Sequence, residues 1–100
     1  MDAFSTSFVA DSGGKSQKLA ISGTSAQSTT LTPPLSGSGA ISITVNTDAF
    51  MRYDTNPTAL VDVDRLLLAG VTYRVSLGGS GKIALITSGG SGNAYITQEW

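Results

Sequence analysis

Apolar and polar residues alternate with a period of two along most of this 100-residue chain, and no window carries helical spacing with a cap and a stop. Ile41-Ser42-Ile43-Thr44-Val45-Asn46 alternates without a fault, as a half-buried strand does. Tyr73-Arg74-Val75-Ser76-Leu77 repeats the pattern and puts Arg74 on the wet face. Lys82-Ile83-Ala84-Leu85-Ile86-Thr87 is apolar more continuously, which predicts a central strand covered on both faces. Further strands are expected at residues 4–9, 18–21, 28–31, 49–54, 65–68 and 94–100. Residues 62–69 come nearest to a helix, but Gly70 and the β-favouring run after it predict a strand there.

Turn chemistry separates these segments. Ser12-Gly13-Gly14, Ser22-Gly23-Thr24-Ser25, Pro33-Pro34, Ser36-Gly37-Ser38-Gly39 and Asn56-Pro57 all fall between strand candidates. Gly78-Gly79-Ser80-Gly81 and Gly89-Gly90-Ser91-Gly92 do the same near the C-terminal end, where they read as two hairpin loops. Strands at such spacing predict an all-β chain, a small two-sheet β-sandwich or jelly-roll-like domain of about eight short antiparallel strands. The length suits one core, so residues 1–100 form a single domain, with residues 1–16 read as an extended N-terminal arm.

Composition narrows the chemistry. Histidine and cysteine are both absent, which removes the usual general base, the thiol nucleophile, disulfides and zinc–thiolate sites. Six basic residues are scattered singly against seven acidic ones, so no basic patch marks a nucleic-acid partner. The longest apolar stretch, residues 66–71, is far short of a membrane-spanning helix, and the N-terminal residues lack a secretory pattern. A soluble protein made in a cytoplasm is expected, with no cofactor, no nucleic acid and no membrane partner. Serine (14) and threonine (12) supply most of the polarity, which suits either a polar interface or a solvated sheet.

Each motif that resembles a site falls short. Asp62 and Asp64 would share a strand face about 6–7 Å apart, loosely a glycosidase spacing, but acidic residues mostly sit at the surface, and a solvated edge or loop is by far the stronger reading. Gly79-Ser80-Gly81-Lys82 lacks the phosphate loop's first glycine (Ser76) and its final hydroxyl (Ile83), and a strand follows instead of a helix. A calcium loop from Asp54 has Ala59 at the turn glycine and Arg65 at the bidentate glutamate. Asn56-Pro57-Thr58 is no glycosylation acceptor, because proline holds the middle position. The seven aromatics sit mainly at core-facing positions. Trp100 stands apart, and is expected to dock into its own fold or a neighbouring chain. No catalytic, cofactor or metal residues are assigned, and the chain is expected not to be an enzyme.

Several stretches resemble short structural proteins of tailed bacteriophages. They are residues 21–28 (ISGTSAQS), Ala49-Phe50-Met51-Arg52-Tyr53-Asp54-Thr55-Asn56-Pro57-Thr58-Ala59, Leu67-Leu68-Ala69-Gly70-Val71, residues 81–86 (GKIALI) and residues 91–97 (SGNAYIT). The similarity spans residues 18–98. It departs in the N-terminal arm and at Asp54, where glycine is expected. What it implies is a virion component on the capsid surface, a decoration or cement protein bridging subunits of the major capsid protein or another virion protein. A homo-oligomer, dimer or trimer, is expected with it. The interface is expected at Phe4 and Phe8, at Pro33 and Pro34, at Asn56 and Pro57, and at Trp100, because these lie on polar loops or near chain ends. A tail or fibre component is the alternative. A carbohydrate-binding sandwich would instead display two or three coplanar exposed aromatics.

Overall fold

A computed structural model describes residues 15–34 and 39–100. The strand expected at residues 4–9, most of the N-terminal arm with Phe4 and Phe8, and residues 35–38 lie outside the described residues. Eight strands follow in order: β1 (Ser16–Ile21), β2 (Ala26–Gln27), β3 (Gly39–Val45), β4 (Ala49–Asp54), β5 (Arg65–Leu67), β6 (Thr72–Leu77), β7 (Lys82–Ile86) and β8 (Gly92–Gln98). There is no helix among the described residues.

The strands form two antiparallel sheets of four, β1-β8-β3-β6 and β2-β7-β4-β5. The pairs β1·β8, β2·β7, β3·β6 and β4·β5 nest within one another, so the chain is one long hairpin whose apex is residues 55–64. Successive pairs alternate between the sheets, and β3·β8 and β4·β7 close each sheet across the fold. This is the winding of a jelly roll. The wound ribbon turns the same apolar row inward at every pass. In the first sheet Ile96, Ile43 and Tyr73 lie side by side on adjacent strands, and in the second Met51 lies beside Leu85. These rows form the core with Ile21, Leu31, Ile41, Val45, Leu67, Leu77 and Ile83. Each fully buried aliphatic side chain among them stabilises the fold by roughly 1.5–3 kcal/mol.

Two expectations are corrected by this winding. The glycine loops expected as hairpins at residues 78–81 and 89–92 are not hairpins, because each lies where the chain passes from one sheet to the other. Gly92 shows why the crossing needs glycine: a Cβ there would lie 2.3 Å from Asn46 Oδ1 and 2.6 Å from Thr47 Oγ1. The strand expected at 28–31 is also displaced. Ser28 N–H donates to the Ile83 carbonyl, but its hydroxyl, not its own carbonyl, accepts from Ile83 N–H. The side chain takes a backbone place in the ladder and the chain swings out. Pairing resumes at Leu31 and Gly81, which exchange both backbone bonds. Segment β7 is central and buried through Ile83-Ala84-Leu85, as its continuous apolarity predicts.

Candidate interaction surfaces

Three chain segments far apart in sequence meet at one end of the sandwich. Gly39 packs so closely on Pro33 and Trp100 that a Cβ would lie 2.4 Å from Pro33 Cβ and 3.0 Å from the indole. Trp100 is half-buried and packs against the core, and its carbonyl accepts from Lys15 Nζ. Leu31, bridged to Gly81, brings Asp54 beside them, since Gly81 leaves only enough room for the Asp54 carbonyl. Tyr53 Oη closes the same end by donating to the Gly79 carbonyl, and burial of the ring pushes its phenol pKa up. Pro33 is therefore buried in the protein's own packing, whereas Pro34 is exposed.

Asn56 and Pro57 continue from this end into a layer that covers the outer face of the second sheet. Gln27 Nε2 on β2 donates to Asn56 Oδ1 (2.9 Å) and to the Pro57 carbonyl (2.7 Å). The Ala59 amide donates to Ser25 Oγ, and Arg52 Nε on β4 meets Asp64 Oδ1 at 2.9 Å. Residues Gln27, Ala84 and Arg52 are register neighbours on β2, β7 and β4, so the layer lies across all three strands. That explains why Ala84, which faces away from the core cluster, is nevertheless fully buried. Pro57 and Ala59 are buried with it, while Asn56 is exposed. The Asp64 carboxylate is 10 % exposed. Burial acts to raise its pKa, but the Leu60 amide, the Arg52 hydrogen bond and the Arg52 charge outweigh it and hold the group below the usual carboxylate value. Asp62 takes φ 63°, the left-handed region, in the turn between them. The two aspartates thus sit in a turn with one of them ion-paired. Among the described residues no three His, Cys, Asp or Glu side chains group as metal ligands.

On the last part of this layer and along the β5 edge beside it, an apolar strip is left open. Val63 is 67 % exposed, and Leu60, Leu66, Leu68 and Val71 are each between 42 and 47 %. All five fall in residues 60–71, on and beside β5, an edge strand. Leu66 alternates with core-facing Leu67 and adjoins Phe50 and, through it, Ile86 on the outer face. The sequence reading missed this strip as a surface. Its signal was present in Leu66-Leu67-Leu68, a run with no polar alternate, at a strand too short to be covered on both sides.

The first sheet's outer face is of another kind. Ser16, Thr97, Ser42 and Arg74 form one cross-strand row, and Lys18, Tyr95, Thr44 and Thr72 the next. Hydroxyls pair along the rows, Ser16 with Thr97 at 2.9 Å and Thr44 with Thr72 at 2.8 Å. Glu99, 8 % exposed, accepts from Ser42 Oγ and from Arg74 Nε. Tyr95 is exposed on this face, whereas Tyr53, Tyr73 and Trp100 pack against the core. No protein-family model, curated protein or solved structure matches this chain.

Proposed function

We propose that the protein is a non-enzymatic structural component of a tailed-phage virion, a decoration or cement protein that bridges subunits of the capsid surface. The observation that carries this reading is the convergence of Pro34, Asn56, Trp100 and Lys15 at one end of a tightly wound jelly roll. Lys15 Nζ donates to the Trp100 carbonyl at the end that presents the two exposed loop residues. A rigid scaffold with its contact loops at one end can seat many copies on a repeating shell. Weak individual contacts then add through effective concentration once neighbouring copies touch. The fold supports the reading only by analogy, since jelly rolls serve in viral capsids and also in lectins and cupins. A sugar platform is not favoured, because three of the four Tyr and Trp side chains pack inward.

The test is made on purified virions. Quantifying the protein against the major capsid protein should give copies numbering in the hundreds, in fixed proportion to capsid subunits, with antibody label on the head. Deleting residues 1–8, or replacing Pro34 and Asn56 together, should lower incorporation and virion heat resistance. A handful of copies confined to the tail would move the protein to the tail or a fibre. Absence from virions would end the reading.

A further inference from the structure

We infer that the strip at residues 60–71 is a self-association surface, through which two copies of this chain meet about a two-fold axis. The inference rests on the homo-oligomer part of the functional reading and not on the assignment to a virion. Its first support is charge. Exposed Asp62 lies in the turn before β5 and exposed Arg65 at the β5 edge, and neither side chain has a hydrogen bond or ion pair among the described residues. The neighbouring charges Arg52 and Asp64 already satisfy each other. A two-fold contact places residue i of one copy against residue j of the other and repeats the pairing in reverse. One acid and one base on the same edge are self-complementary under that operation. Asp62 of each copy meets Arg65 of the other at the β5 edge, where Arg65 stands on the row of Met51, while Val63 and the outward Leu66 supply apolar contact.

The second support is area. The exposed parts of Leu60, Val63, Leu66, Leu68 and Val71 amount to on the order of 400 Å² of apolar surface, a size that marks an interaction site when it is contiguous. A standard interface buries about 800 Å² per partner, of which roughly 500 Å² is apolar in homodimers. The strip supplies most of that, and the chain offers nothing else to cover it among the described residues. The contact is made by side chains, not by joining sheets. β5 has three residues, and Arg65 falls on the inward row opposite Met51, an arrangement that discourages strand-to-strand pairing.

A contact of this size should be modest, with a dissociation constant of about 10–100 µM, tightening where copies are held side by side. Sedimentation velocity of the full chain from about 1 µM to 1 mM, at low and high salt, tests it directly. The expected result is a reversible monomer–dimer equilibrium that weakens with salt. Val63→Asp, at a position exposed enough to leave folding intact, should weaken the dimer at least about tenfold. Arg65→Glu should weaken it by a similar factor, and adding Asp62→Lys to it should restore the dimer to within about threefold of the unmodified protein. Circular dichroism confirms that each variant is folded. A monomer at every concentration, a trimer or larger ring, a dimer indifferent to Val63→Asp, or a failure of the double exchange to rescue would each overturn the proposal. A dimer that behaves as expected but never enters a virion would remove the virion reading and leave this one standing.

Discussion

The two outer faces of this sandwich obey the same alternation and end as opposite surfaces. On the first sheet every outward position in the two central rows is Ser, Thr, Lys, Arg or Tyr, and the hydroxyls satisfy one another sideways. That face needs no cover. On the second sheet the outward positions include Ala84, Phe50, Ile86 and Leu66, and the chain spends residues 55–64 covering the first of these. The cover reaches Ala84 and stops short of the β5 edge. The apex loop of the long hairpin is thus a structural layer, and the apolar strip combines that layer's own exposed Leu60 and Val63 with the β5-edge side chains it does not cover.

The contrast is broken most severely at Ala84. Ala84→Glu places a charge under the 55–64 layer and should cost about 3 kcal/mol or more, or prevent folding. Ser76→Glu, an outward position of β6 on the open face, should change stability by less than about 0.5 kcal/mol. Urea denaturation of both variants makes the comparison, and equal costs would mean that the second face is not covered. Next in size is Gln27→Ala, which removes both bonds holding Asn56 and Pro57. A loss of about 1–2 kcal/mol is expected, with faster proteolytic cleavage within 55–64 while the sheet itself stays protected.

Asp62 gives a smaller and signed effect. Asp62→Gly relieves the left-handed backbone and should leave stability within about 0.5 kcal/mol, whereas the β-branched Asp62→Val should lower it by about 1–2 kcal/mol. The smallest effect at neutral pH is expected at Asp64. Its folded pKa is lowered, so the stability it contributes is present above the ordinary carboxylate pKa of about 4 and is lost as pH falls through the lowered value. Melting curves of the unmodified protein and Asp64→Asn should differ at pH 6 and converge toward pH 2. Parallel pH profiles would show that the Arg52 pair contributes nothing.

Much of the fold was legible because alternation is a local signal. Residues 49–54 were placed without error, and β3, β6 and β7 within two residues at either end, since each has one face dictated by its own side chains. The assignment of loops to hairpins failed because a glycine-rich turn fixes a change of direction and not the sheet that receives the next strand. Ser28 failed for a related reason, its hydroxyl standing in for a carbonyl in a way that no propensity records. Pro33, Pro57 and Trp100 were expected at an interface on turn chemistry and position. Pro33 and Pro57 are buried and Trp100 half-buried in the protein's own packing, with Pro34 and Asn56 left facing outward. The strip at 60–71 was harder to read, because an apolar run does not say which of its side chains the fold leaves open.

Hydroxyl-radical footprinting at low and high protein concentration tests the inequality of the two faces most directly. Leu60, Val63, Leu66 and Leu68 should become protected in the concentrated protein while Tyr95, on the open face, reacts at an unchanged rate. Protection centred on Tyr95, or spread evenly over both faces, would contradict it.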